Sequence, residues 1–463
     1  METTTAHIAI PNARRWAALA VLCTAQFMVI MDTSIIGVAL PAIQKDLGYS
    51  ASNLQWIFNA YVIFLGGLLL LGGKLSDLFG PRKIFMMGFG VLTGASLLAG
   101  LAWSETSMNV ARALQGVGSA LIAPAALTLL MTIFTDGKEL AKAFGFWGAS
   151  AAAGGSAGVF LGGVLTEWLS WHWTFLINIP LGLIVLMVSK TYLVKGYTHR
   201  GRLDLSGALM ATIALVSLVY AIVSAESEGW GSVKIISLIA VSVILFLVFF
   251  MLQKKSASPL LPLSVFKIPN LSTGNLVMML LAAAWIPLWF YLNIYLQQVL
   301  HLSAFKSGLA LLPMTIVIMI MMTSVTGKVI AKMGVKGTLV LGLLFLTVSL
   351  LLFANVSETG SFATDVLPAS ILGAIGMSLA YIPGTITSMS GAKPEETGLA
   401  SGIVNTSYQI GSALGLAVVV AISSASIKGN ANMNHGIQVA FIAAAVISTL
   451  AVIIGVVRVK KLG

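Results

Sequence analysis

Two ionisable residues lie deep inside long apolar stretches of this chain: Asp32, in the run 16–40, and Arg112, in the run 108–133. If such a run crosses a bilayer, a charge at its centre costs about 2.5–3.5 kcal/mol, so each needs a partner, a wet cavity or a task. Asp32 sits about two helical turns before Pro41, which is expected to mark the end of its run. A carboxyl there has two usable states. Protonated, it is comfortable in a closed apolar site; ionised, it needs water or a cation. One such group can exchange a proton for a substrate cation. The competing reading is a carboxyl fixed by hydrogen bonds to a neighbouring segment. Arg112 keeps its proton. It either biases the ionisation of a carboxyl and passes protons through a polar network, or it caps backbone carbonyls in a crowded interface. Gln115, Gly116 and Gly118 follow it on one helical side, where small residues permit close packing.

The remaining candidates are weaker taken singly. The short charged stretch Gly73-Lys74-Leu75-Ser76-Asp77-Leu78-Phe79-Gly80-Pro81-Arg82-Lys83 could latch neighbouring helices if Asp77 capped a helix start or paired with Arg82 or Lys83; it could equally be an ordinary turn. Gly154, Gly158 and Gly162 recur every four residues and make one smooth helix face, which Gly155 and Gly163 widen. Static packing and a sliding contact both call for such a face. Uncharged cavity groups would be Gln26, Asn59, Trp285, Trp289, Tyr291, Asn293, Tyr295, Tyr381, Asn405, Tyr408 and Gln409, with Met314, Met319, Met321 and Met322 as soft surface. Aromatic faces near a carboxylate would suit a bulky organic cation.

Other chemistries have no residues to carry them. The chain has one cysteine, Cys23, and five scattered histidines (His7, His172, His199, His301, His435), so neither a disulfide framework nor a metal site is expected. There is no phosphate-cradling glycine loop, hence no ATP-driven pump, and no catalytic cluster or cofactor motif. An enzyme is not expected.

These residues need elements to hold them, and the composition says what kind. Of 463 residues, 58% are hydrophobic and 9% charged, with a mean hydropathy of +0.98. Soluble proteins carry roughly 25% charged residues, and a water-facing surface cannot be covered with so few. Fourteen apolar runs long enough to cross a bilayer can be read, from 16–40 to 436–457. The first is too long for a signal-peptide core and is read as retained. Placing the N-terminus in the cytoplasm puts 21 of the 26 basic residues in cytoplasmic segments, leaving Lys45, Lys234, Lys306 and Lys428 outside and Arg112 within a span. That bias fixes the orientation, with both termini cytoplasmic. It also turns the net charge of +11 into a topology signal, which removes nucleic acid as a partner.

An internal repeat divides the chain. Gly73-Lys74 to Gly80-x-Arg82 recurs as Gly327-Lys328 to Gly334-x-Lys336, an offset of 254 residues. Ala331 stands opposite Asp77, so only one copy carries that charge. Spans 1–6 and 9–14 therefore read as parallel halves with two spans inserted: 1–200 a first six-helix bundle, 201–260 the inserted pair with linkers, 261–463 a second six-helix bundle. Parallel six-span halves suit a secondary transporter with a site near the bilayer midplane.

On these residues the chain resembles the major facilitator superfamily, and within it the fourteen-span drug:proton antiporters, over essentially its whole length. Gly73-x-Leu75-x-Asp77-x-x-Gly80-x-Arg82-Lys83 is similar to the loop motif between spans 2 and 3. Arg112-x-x-Gln115-Gly116-x-Gly118 is similar to that of span 4. Met31-Asp32-Thr33-Ser34-Ile35-Ile36-Gly37-Val38-Ala39-Leu40-Pro41, Trp173 to Gly182 and Leu203 to Ala208 resemble stretches typical of the fourteen-span group. The resemblance implies an all-α membrane fold of two six-helix bundles plus two inserted helices. It implies export of small lipophilic or cationic drugs or metabolites by alternating access in exchange for protons, from a bacterial cell membrane, by a monomer. It assigns proton coupling to Asp32, a relay to Arg112, and conformational control to Asp77 and the span 5 glycines. Departures are Gly37 where Asn is usual, Ser34 where Thr is usual, and Gly158-Val159-Phe160-Leu161-Gly162-Gly163, which lacks the usual Gly-Pro. The missing proline leaves open a transporter of another amphipathic substrate, a lipid or metabolite, without proton antiport.

Overall fold

The computed structural model describes residues 12–196, 204–256, 259–261, 263, 270–390, 397–427 and 432–460. The basic residues expected to orient the chain at Arg200, Arg202, Lys267, Lys393, Lys428 and Lys461 lie outside these. Every regular element among the described residues is helical, as the bilayer demands of an apolar chain whose backbone groups find no water.

The order is α1 (Asn12–Leu47), α2 (Trp56–Phe79), α3 (Pro81–Gly100), α4 (Glu105–Ile133), α5 (Gly137–Trp168), α6 (Trp173–Leu176), α7 (Asn178–Tyr192), α8 (Leu205–Glu228), α9 (Val233–Lys255), α10 (Leu271–Ile294), α11 (Ala304–Ile320), α12 (Thr326–Phe353), α13 (Leu367–Met389), α14 (Thr397–Ile427) and α15 (Met433–Arg458). Thirteen described stretches are long and apolar enough to cross a membrane, and one of them, Ala304–Phe353, is 50 residues long. Gly334, with φ 75°, breaks that stretch. Divided there, it provides two spans, and the total agrees with the fourteen expected. Gly80, the repeat counterpart of Gly334, has φ 91°. Both copies of the loop thus turn on a glycine in the left-handed region, where a side chain would be strained. Pro81 follows at the first position of α3, where a missing N–H costs nothing.

Polar residues cap the ends. Ser104 and Ser107 close a capping box on α4, and Ser232, Ser303 and Asn432 accept from amides opening α9, α11 and α15. Asp204 caps α8 by accepting from the Gly207 amide at 2.9 Å, and also takes Gln253 Nε2 at 2.5 Å and Ser206 Oγ at 3.0 Å. Burial pushes this carboxyl up, but the three donors outweigh it and hold it below the usual carboxylate range. Gln253 also accepts the Leu261 amide at 2.9 Å, so one knot ties α8, α9 and the following linker. Pro41 does not end its helix: α1 continues to Leu47. Pro41 leaves the Gly37 carbonyl without its helical donor, and one residue on, Gln297 of the second half donates to the Val38 carbonyl.

In the first half α1 packs along α5, while α2 and α3 pack on α4. In the second, α10 packs along α14 and α15, and α12 on α13. The α8–α9 pair lies to one side: α8 touches α2 and α14, one helix from each half, and α9 packs chiefly on α8.

Candidate functional site

Asp32 and Arg112, 80 residues apart, meet in the first half. Arg112 Nη1 donates to Asp32 Oδ2 at 2.7 Å, and both residues are fully buried. Three more elements complete the cluster. Gln115 Nε2, one turn after Arg112 on α4, donates to Asp32 Oδ1 at 3.0 Å and to Ser96 Oγ of α3 at 2.8 Å. Gln115 Oε1 accepts from Arg112 Nη1 at 2.8 Å. Asn178, the first residue of α7, donates to Asp32 Oδ1 at 2.8 Å. Arg112 Nε donates to the Ile57 carbonyl at 2.9 Å. The guanidinium lies 4.5 Å from the Tyr61 ring centre and 6.0 Å from that of Phe175, and Tyr61 Oη donates to Ser119 Oγ at 2.9 Å.

The local sequence explains why these groups can meet. Arg112 and Gln115 stand three apart and so share a helix face. The glycines beside them remove side chains where helices cross. A Cβ at Gly116 would collide with the Tyr61 carbonyl of α2, and one at Gly118 would fall 2.8 Å from the Leu92 amide of α3. Along α1, Cβ atoms at Gly154, Gly158 and Gly162 would fall 2.5 Å from Phe27 O, 2.9 Å from Met31 O and 2.6 Å from Ile35 O. The glycine face of α5 is therefore pressed on the very segment of α1 that carries Asp32. Gly163, beside it, turns to the other half and would meet Ala304 O at 2.8 Å. The pattern repeats in the second half, where Gly411 and Gly415 of α14 press on Met279 and Ala283 of α10.

The loop motif lies at the end of the first half that also carries Arg14. Asp77 is exposed in the last turn of α2. Arg82 donates to the carbonyls of Lys190 at 3.4 Å, in the last turn of α7, and of Leu193 at 3.2 Å, just past it, and Lys83 lies 5.8 Å from the Phe79 ring centre. Gly73 packs against Pro124 of α4.

Among the uncharged candidates the aromatic ones, Trp285, Trp289, Tyr291, Tyr295, Tyr381 and Tyr408, pack in one hydrophobic cluster, and the polar ones make individual contacts. Asn293 is buried, and its Nδ2 would lie 2.9 Å from a Cβ at Gly37, so the two halves touch there. Tyr381 and Tyr408 meet edge to face at 5.6 Å. Gln409 packs on Gly66 of α2. Tyr291 lines a crevice of about 40 Å³ with Gln44, Leu54, Phe290 and Gln298, too small for a drug-sized molecule. Asn59 is buried and bonded to Gln55 at 3.3 Å. Gln26 is half-buried on α1 and Trp289 half-buried on α10. Asn405 is exposed and spends its amide N–H on the Ser401 carbonyl. Sequence reasoning assigned no role to Asn178, Tyr61, Ser96 or Ser119. Asn178 lay within a recognised stretch, but an uncharged amide among apolar residues gives no signal of its partner.

At the end of the bundle away from Arg14 the halves are joined. Gln297 and Gln298, on a π-helical turn (Tyr295–Val299) that re-aims the end of α10, donate to the Val38 carbonyl at 2.8 Å and to Gln44 at 2.9 Å. The Phe305 amide donates to Glu167 at 2.7 Å, and its ring stacks on Trp168 at 5.2 Å. Nearer the other end of α5, Gly145 and Gly148 face open space.

Residues 22–416 match the Major Facilitator Superfamily. A cephamycin export protein of Amycolatopsis lactamdurans is 36% identical over 417 residues, 89% of this chain and 86% of that one. A puromycin resistance protein of Streptomyces alboniger is 36% identical, covering 89% and 83%. A tetracenomycin C resistance and export protein of Streptomyces glaucescens is 34% identical, covering 88% and 75%. Among solved structures, the POT family transporter PepTSo has a TM-score of 0.70 at 14% identity over 96% of this chain and 97% of that one. The nucleoside transporter NupG has 0.66 at 12% identity, over 96% and 100%; at such identities the likeness is one of fold. A match that runs through both halves, on a fold shared with solved transporters, makes this chain a multi-pass membrane transporter that belongs to the Major Facilitator Superfamily.

Proposed function

We propose that the protein exports lipophilic or cationic drugs or metabolites in exchange for protons by alternating access, with Asp32 as the group that takes up and releases the proton and Arg112 as its relay partner. The observation that carries this reading is the closed network around Asp32, the one acid among the described residues that is fully buried. A buried carboxylate held by a guanidinium and two amides is stable only while every partner stays in place. Protonation removes the ion pair and frees Arg112, which loosens α1 from α4. The glycine face of α5 lets α1 shift without side chains to clear. The motif at Asp77, Gly80, Arg82 and Lys83 then holds or releases the end that carries Arg14, which is cytoplasmic in a bacterial cell membrane. The names of the relatives, in cephamycin export and in resistance to puromycin and tetracenomycin C, support the direction of transport. The protein functions as a monomer.

The energetics follow from charge. One proton entering for one neutral molecule is driven by both voltage and pH difference, the voltage contributing about 2.3 kcal/mol per 100 mV. One proton for one monovalent cation moves no net charge, leaving about 1.4 kcal/mol per pH unit. Cationic and neutral substrates are thus expected to differ in voltage dependence, measurable in proteoliposomes with a clamped potassium diffusion potential. The central test is proton-driven transport by Asp32→Asn in the same vesicles: loss is expected, and wild-type rates would refute the reading. A second reading, transport without proton antiport, is favoured by the uninterrupted 32-residue α5, which lacks a proline. Transport indifferent to an imposed pH gradient would establish it.

A further inference from the structure

Each hydrogen bond made to the Asp32 carboxylate is a donation to it. Arg112 Nη1 gives to Oδ2; Gln115 Nε2 and Asn178 Nδ2 give to Oδ1. Among the described residues, the titratable groups facing it are Arg112 of α4 and Tyr61 of α2. From α3 comes Ser96, through Gln115; from α7, Asn178; from α5, glycines. The cradle suits the ionised acid. A proton arriving on Oδ1 makes an O–H that must find an acceptor, since a buried donor left unmet is costly. Arg112 has no acceptor to offer. Gln115 Oε1 and the Ile57 carbonyl are turned to Arg112, accepting from Nη1 and Nε, and neither bonds Asp32. Asn178 differs. It is 1% exposed, and its Oδ1 is buried with no hydrogen-bond partner. Turning its amide over therefore breaks one bond, the bond to Asp32.

We propose that Asn178 is the positioning residue that lets Asp32 change protonation state in place, donating its N–H to the carboxylate and, turned over, accepting from the acid. This rests on the reading of Asp32 as the proton carrier. The step balances without an oxidant or reductant. A hydronium ion gives its proton to Asp32 Oδ1 and leaves as water, the hydrogen bond donated by Asn178 Nδ2 is lost, and the new hydroxyl donates to Asn178 Oδ1. Release of the proton runs the same exchange backwards. Gln115, held at both ends by Arg112 and Ser96, cannot do this.

The test is an infrared titration of purified, lipid-reconstituted protein, following the protonated-carboxyl band that Asp32→Asn abolishes. Asn178→Leu removes both donor and acceptor. The bond to the charged form is the stronger of the two, so the midpoint should rise by about one pH unit, tenfold in proton affinity, and the band should move toward that of a non-bonded acid. Asn178→Asp keeps the shape, and so decides the matter if the Leu variant fails to fold. It sets two carboxyls to share one proton, which also raises the midpoint. A wild-type midpoint in either folded variant overturns the role of Asn178 and leaves Asp32 as carrier. If no band depends on Asp32, the carrier reading itself fails and this inference falls with it.

Discussion

Asp32 gains its meaning from what surrounds it. An isolated carboxylate at this depth would be neutral or absent; here a guanidinium and two amides replace its water. Removing one partner of such a pair is costly because the other charge stays buried. Arg112→Met should destabilise the protein by about 3–5 kcal/mol, read as a lowered thermal unfolding midpoint in detergent, and Asp32→Asn in the same chain should recover part of the loss. Arg112→Lys should not rescue, because one ammonium cannot serve Ile57, Gln115 and Asp32 at the separate positions of the fork. Gly37 offers a second test. The resemblance leads one to expect Asn there, yet Asn293 of the other half already fills that space. Gly37→Asn should lower the unfolding midpoint, and Asn293→Gly added to it should restore most of the loss; independent, additive effects would show that the two positions do not compete.

At the scale of elements, the glycines of α5 are not equivalent: the series Gly154, Gly158 and Gly162 meets α1, and Gly148, outside that series, does not. Gly154 and Gly162 press on the backbone of α1, whereas Gly148 faces open space. Gly154→Ala should cost about 1–3 kcal/mol through overpacking and slow transport. Gly148→Ala should be neutral or stabilising by a few tenths to about 1 kcal/mol, since alanine is the better helix former. Equal effects at the two positions, by unfolding midpoint and transport rate, would contradict this packing. The α4 motif was legible because arginine, glutamine and glycine at fixed spacing are conspicuous in an apolar helix. The roles of α3 and α7 were not, because Ser96 and Asn178 become polar partners only when four helices converge. Nor was the reach of α1 beyond Pro41, where the second half packs on the helix through Gln297 and Gln298.

At the scale of the whole molecule, the halves are fastened at the end away from Arg14 by Gln297, Gln298, Glu167 and the Trp168–Phe305 stack. Alternating access requires that these contacts part. With Cys23 the sole cysteine, a Cys23→Ser background allows a clean test. Gln44→Cys with Gln298→Cys, joined by a short bifunctional reagent, should arrest transport, and reagent reactivity between the pair should fall when substrate and a pH gradient are supplied. Transport that survives the cross-link would show that this end stays shut throughout the cycle. The α8–α9 pair, touching α2 and α14, adds a helix across one seam between the halves and none across the α5–α11 seam, an asymmetry that the near-repeat of 254 residues does not foretell.

The sequence by itself determined that this chain lives in a membrane, about how many times it crosses, that a Gly-Lys loop pattern recurs, and which two charges are out of place. Those properties are sums along the chain: apolar length, the placement of Lys and Arg, a recurring Gly-Lys pattern. Only the tertiary structure decided that Asp32 and Arg112 are each other's partners, that Asn178 completes the cradle, and that the aromatic candidates of α10, α13 and α14 pack in one cluster. Such facts depend on which faces of five helices converge, and helices alike in composition and hydropathy converge according to where their glycines let backbones approach, a property of pairs of helices that no single segment carries.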